Sequence, residues 1–105
     1  MSNYSGSCFF VANSEKCGPF KVIILENGDI KFDCNDYYDN QYTVVLKNRQ
    51  GSYYKGEAFC KSGEKITVAA RVYRDEEAGL IFIAGSEWRE NGVEYNWFVN
   101  IEYDD

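Results

Sequence analysis

Short runs rich in β-branched and aromatic residues alternate with turn-forming residues along the chain, and no stretch shows the spacing of an amphipathic helix. Asn-Gly, the preferred centre of a type I′ hairpin turn, occurs in "ENGD" at 26–29 and in "ENGV" at 90–93. We therefore predict an all-β fold, an antiparallel meander of about eight short strands that forms a small barrel or a sandwich. The predicted strands are Tyr4–Ala12, Phe20–Leu25, Asp29–Cys34, Tyr42–Lys47, Ser52–Cys60, Lys65–Arg74, Leu80–Trp88 and Val93–Tyr103.

The stretch from residue 93 to residue 103 alternates most strictly. With Asn91-Gly92 at the tip of a hairpin, Trp88 lies opposite Tyr95 and Arg89 lies opposite Glu94. Side chains alternate between the two faces of a strand, so one face of this strand is apolar throughout. We expect this row to form the inner wall of the core: Tyr95, Trp97, Val99, Ile101 and Tyr103.

The same register, continued without interruption toward residue 80, assigns sides to the preceding strand. It places Phe82 and Ala84 inside and puts Gly85 opposite Phe98. Ile81 and Ile83 then point outward. On the inner side we also expect residues of the strand before it: Ile66, Ala70 and Val72.

The 105 residues suit one domain that spans positions 1–105. Seventeen acidic residues against eleven basic ones give a formal net charge of -6. This balance argues against direct binding to a nucleic-acid backbone and against an anionic membrane surface. It is compatible with a basic protein partner.

The chain contains no stretch long and apolar enough to span a bilayer, and its N-terminal residues lack the pattern of a secretory signal. We therefore expect a soluble, cytoplasmic protein. In a reducing compartment the four cysteines are expected to be free thiols, whereas in an exported protein three disulfide pairings would be open.

Catalytic chemistry finds little support in the sequence. Histidine is absent, and the spacing of Cys8, Cys17, Cys34 and Cys60 does not fit a zinc site. No glycine-rich phosphate-binding loop of the Walker type is present. We expect a protein that is not an enzyme and that needs no metal or cofactor.

A patch on the outer face of the last three strands is the main candidate site. An apolar patch surrounded by charge is typical of an interaction site, although the N-terminal strands would cover this face in a sandwich. The densest negative charge adjoins it, in the "DEE" turn at 75–77 and near the C-terminus. The candidate partner-binding residues are Arg71, Tyr73, Asp75, Glu76, Glu77, Ile81, Ile83, Glu87, Glu94, Phe98 and Glu102.

The polar segment "DCNDYYDNQY" at 33–42 is an alternative site. It lacks the glycine and the glutamate of an EF-hand loop, but its tyrosines and amides could bind a sugar. The candidate ligand-binding residues are Asp36, Tyr37, Tyr38, Asp39, Asn40 and Tyr42.

Two functions therefore follow as hypotheses. The first is a small acidic binding protein that engages a basic macromolecule and blocks or modulates it, as an inhibitor or an immunity protein does. The second is a lectin-like barrel that binds a carbohydrate or another small ligand. A homodimer through the outer apolar patch is a further hypothesis.

Overall fold

The structure is a computed structural model, and it describes residues 4–10, 16–25, 27–35, 40–75 and 77–103. All eight predicted strands are present, with ends shifted by up to four residues at the N-terminal side of the second strand and by fewer elsewhere. Their bounds are β1 Tyr4–Phe10, β2 Lys16–Ile24, β3 Ile30–Asn35, β4 Gln41–Gln50, β5 Tyr53–Cys60, β6 Lys65–Asp75, β7 Leu80–Glu90 and β8 Val93–Tyr103.

The strands form a closed antiparallel barrel in which each strand pairs with the next along the chain. Pairing of β1 with β8 closes the sheet, from Tyr4 opposite Tyr103 to Phe10 opposite Trp97. The meander barrel is thus confirmed, and the sandwich arrangement is excluded. The N-terminal strands continue the same sheet, so they do not lie over β6, β7 and β8 as a second layer.

A column of aromatic rings fills the interior. Phe32 stacks on Phe20 with centroids 5.4 Å apart and contacts Trp97 at 6.4 Å. Trp97 meets Trp88 edge to face at 5.8 Å, and Trp88 meets the ring of Tyr42 in the same way at 5.1 Å. Burial of these rings is a major source of stability, since each removes a large apolar area from water.

The inward row predicted for β8 is confirmed at every position whose side chain the structure describes. Tyr95, Trp97, Val99 and Ile101 are all buried, with exposed fractions from 0% to 7%. The cysteines whose side chains are described, Cys8, Cys34 and Cys60, are free thiols, and the first two belong to the core.

A β-bulge in β7 changes the predicted register. Near the hairpin tip the pairs are as predicted, with Trp88 opposite Tyr95 and Arg89 opposite Glu94. On the other side of the bulge Gly85 pairs with Trp97 rather than with Phe98, so Ser86 and Glu87 together oppose one residue of β8. Such an extra residue reverses which side chains face inward along the rest of the strand.

The reversal corrects the predicted sides of β7. Ile81 and Ile83 are buried, with exposed fractions of 6% and 0%, whereas the prediction placed them outside. Phe82 and Ala84 point outward instead, and Phe82 is 40% exposed. In β6 the prediction of the inner side holds, because Ile66, Ala70 and Val72 are buried. Ala70 pairs with Gly85, and Val72 pairs with Ile83.

The β7–β8 turn has the geometry expected for Asn-Gly. Asn91 and Gly92 both have positive φ, 52° and 76°, as a type I′ turn requires. At the other Asn-Gly, Gly28 has a φ of 93°, and Leu25 donates its backbone N–H to the carbonyl of Asp29 at 2.8 Å.

Candidate functional site

The outer surface of the last three strands carries three successive cross-strand rows. In the first, Arg71, Ala84 and Phe98 lie side by side, and the next two rows run in parallel toward the β6–β7 turn. We call these nine residues the β6–β8 outer face: Arg71, Ala84, Phe98, Tyr73, Phe82, Asn100, Asp75, Leu80 and Glu102.

The centre of the β6–β8 outer face is apolar and open to solvent. Phe82 stacks on Phe98 with ring centroids 5.8 Å apart and planes 29° apart. Beside Phe82, Tyr73 is 54% exposed and Leu80 is 45% exposed. Because large apolar side chains here adjoin one another rather than lying singly, the surface resembles an interaction site more than ordinary exposed residues do.

Carboxylates flank the end of this apolar surface that lies next to the β6–β7 turn. Asp75 and Glu102 occupy the positions on either side of Leu80, and both are exposed. The carboxylate of Asp75 also accepts the backbone N–H of Ala78 at 3.1 Å, which holds the turn in place. Glu77 lies exposed within that turn.

A cation lies at the opposite end of the face. The guanidinium of Arg71 is positioned over the ring of Tyr53, 5.1 Å from its centroid, in a cation–π contact. The face is therefore polarised, since its positive charge is held at one end and its negative charges collect at the other.

Most predicted partner-binding residues lie on or beside this face, four do not, and one is not described. Ile81 and Ile83 belong to the core, as the bulge explains. Glu87 sits in the bulge and pairs with Lys55 at 3.6 Å, and Glu94 pairs with Arg89 at 3.0 Å near the hairpin tip. Glu76 lies outside the described residues.

Leu80 and Phe82 belong to the β6–β8 outer face, although the sequence prediction did not include them. The run "LIFI" at 80–83 is apolar on both faces, so alternation cannot tell which residues point outward. The inward and outward residues of this run were assigned only by extending the register from Trp88, and the bulge lies between Trp88 and the run. The usable signal was Phe82 itself, a ring that could stack on the outward Phe98.

The alternative ligand-binding segment is described only in part. Positions 36–39, which include Asp36, Tyr37, Tyr38 and Asp39, lie outside the described residues. Asn40 is exposed and lines a concavity of about 360 Å³ together with residues of the β5–β6 turn. The prediction that Tyr42 binds a ligand on a loop surface is wrong, because its ring is buried against Trp88.

Within the described part of the chain no group of three or more Cys, Asp or Glu side chains is arranged to hold a metal ion. Over the same residues, no helix has the length and apolar character needed to cross a membrane. Comparisons with protein-family models, curated proteins and solved structures gave no match to this chain. The geometry of the site is therefore the basis for a functional proposal.

Proposed function

We propose that this protein is a non-catalytic binding protein whose β6–β8 outer face engages a protein with a basic surface and blocks or modulates it. The observation that carries the proposal is the exposed apolar cluster of Tyr73, Leu80, Phe82 and Phe98 beside the carboxylates of Asp75 and Glu102. Apolar area supplies affinity at the centre of such an interface, and charge at its edge supplies orientation and speed of encounter.

The chemistry of the face favours arginine or lysine on the partner. A guanidinium can stack on an exposed ring and at the same time pair with a carboxylate. The net charge of -6 adds a long-range attraction toward a positively charged partner. The face lies on three paired strands, so the partner meets a rigid surface and little ordering entropy is lost on binding.

The proposal is tested by affinity capture from host lysate with four forms of the protein. Wild type and Ile23→Ser, a control at an exposed apolar residue of β2, should capture the same protein. Phe82→Ser should lose it, because the centre of the contact is removed. Asp75→Lys combined with Glu102→Lys should weaken capture and flatten its dependence on salt. Equal capture by all four folded forms would exclude this face.

The homodimer hypothesis uses the same surface and predicts a different result. Light scattering at two concentrations would show a dimer that Phe82→Ser dissociates, and the lysate would yield no second protein dependent on Phe82.

The carbohydrate-binding alternative stays a prediction. The aromatic column occupies the barrel interior, so we place a bound sugar at the concavity lined by Asn40 rather than inside the barrel. A glycan array probed with wild type and Asn40→Ala tests it, and binding that depends on Asn40 would favour it.

A further inference from the structure

A second concave surface lies on the outside of β4 and β5 and reaches β6. It is open to solvent and has a volume of about 520 Å³, within the range of small-ligand sites. We call it the β4–β5 groove, and it is lined by Val45, Lys47, Arg49, Lys55, Gly56, Glu57, Phe59 and Thr67.

The β4–β5 groove gathers positive charge in an acidic protein. Lys47 and Lys55 are direct cross-strand partners, and Arg49 is the extra residue of a bulge between Asn48 and Gln50. Like charges placed opposite each other on a sheet are destabilising. This arrangement is unfavourable by itself, and a bound anion would relieve it.

The neighbouring carboxylates neutralise only part of this charge. Glu57 pairs with Lys65 at 3.0 Å, and Glu87 lies 3.6 Å from Lys55. Among the described residues, no carboxylate lies within ion-pair distance of Lys47 or Arg49. Two cations thus remain for an anion from outside.

The rest of the lining provides an apolar wall and a rigid shape. Val45 is half-buried, and the ring of Phe59 is 42% exposed. Gly56 lies against the backbone of Val45 and Leu46, which a β-carbon would overlap, so a larger residue there would have to move β4. The close approach of Gly56 to β4 therefore fixes the backbone at the base of the groove.

We propose that the β4–β5 groove binds an anion that contains a short chain of phosphate groups. Lys47 and Arg49 lie on β4 and Lys55 lies opposite Lys47 on β5, so several cations line the groove and can contact several phosphates of one chain. Lysine and arginine both form charge-assisted hydrogen bonds to phosphate oxygens. Phe59 offers a ring surface to a base if the phosphate chain belongs to a nucleotide. This site is separate from the β6–β8 outer face, and its test needs no protein partner.

Isothermal titration calorimetry at low salt tests the proposal with sodium tripolyphosphate, ATP and, as an acidic-peptide control, oligoglutamate. Tripolyphosphate should bind one site per chain, and Lys47→Gln should weaken it about tenfold, the equivalent of one charge-assisted contact. Lys21→Gln removes an exposed lysine of β2 and should leave the affinity unchanged within about twofold. Tighter binding of ATP that Phe59→Ala abolishes would identify a nucleotide, and equal binding of both would identify a free phosphate chain.

Thermal unfolding separates binding from a merely structural effect. Without anion, Lys47→Gln should unfold at a higher temperature than wild type, because the repulsion with Lys55 is gone. With tripolyphosphate, wild type should gain stability and the variant should gain less. Absence of heat and of stabilisation, an equal loss in Lys21→Gln, or oligoglutamate binding as tightly as tripolyphosphate would each overturn the proposal.

Discussion

Gly85 faces Trp97 across the β7–β8 pair, and a β-carbon on residue 85 would overlap the six-membered ring of that indole. The indole in turn donates its Nε1–H to the carbonyl of Ser86 at 3.3 Å, beside the bulge. A small residue and a large one thus share one interior position. The absence of a side chain at Gly85 is what allows Trp97 to reach the centre of the barrel.

Gly85→Ala is expected to lower the free energy of unfolding by about 3 kcal/mol, the upper part of the usual range for overpacking a core. Denaturant unfolding followed by circular dichroism measures the change. The matched test repeats the substitution in a Trp97→Leu background, where the indole is gone. There Gly85→Ala should cost much less, and an equal cost in both backgrounds would show that the ring is not the cause.

Two single substitutions by lysine, one at Phe82 and one at its neighbour Ile83, test the shifted register. Ile83→Lys buries a charge in the core and should cost about 4 kcal/mol, enough to unfold many small domains. Phe82→Lys loses only the outer stack on Phe98 and should cost about 1 kcal/mol. The register without a bulge predicts the opposite order, so one pair of melting curves decides between them.

The backbone of Glu87 has a φ of 63°, in the left-handed region that glycine adopts more easily. Glu87→Gly should therefore be more stable than Glu87→Gln by about 1 kcal/mol. Both variants remove the carboxylate that pairs with Lys55, so loss of the ion pair does not contribute to the difference in stability between them. Glu87→Val should be the least stable of the three, because a branched side chain tolerates this φ poorly; equal stabilities would argue against the bulge geometry.

The hydroxyl of Tyr54 joins two parts of one end of the barrel. It donates to the carbonyl of Gly28 at 3.1 Å and accepts from the guanidinium of Arg74 at 3.4 Å. Tyr54 is 5% exposed, so Tyr54→Phe should destabilise the protein by about 1 kcal/mol. Tyr73→Phe is the control, an exposed tyrosine whose hydroxyl loss should change stability by less than about 0.5 kcal/mol. Equal effects of the two would contradict the buried bridge.

Much of the barrel follows from local pattern. Turn residues separated the eight strands, and the alternation in residues 93–103 identified Trp97, Val99 and Ile101 as interior. The barrel and the sandwich could not be distinguished, because closure depends on the pairing of β1 with β8, which are at opposite ends of the sequence. Such a contact leaves no short-range signal.

The candidate site was predicted in part, for a different reason. Tyr73, Asp75, Phe98 and Glu102 lie on strands whose sides the alternation gave correctly. The side of Phe82 was predicted wrongly, because the bulge at Ser86 and Glu87 interrupts the alternation between Phe82 and Trp88. Gly85, an isolated glycine within the strand that borders the bulge, was the available sequence signal. The β4–β5 groove escaped prediction because its cations become neighbours only when Lys47 and Lys55 pair across the sheet.

The additional residue in the bulge makes β7 sensitive to the deletion of a single residue. Deleting one amino acid at position 86 or 87 would restore unbroken alternation and invert the first half of β7 relative to β8. Phe82 would turn toward the aromatic column while Ile81 and Ile83 would emerge into water. Loss of one codon would thus remove Phe82 from the β6–β8 outer face and expose two core residues at the same time.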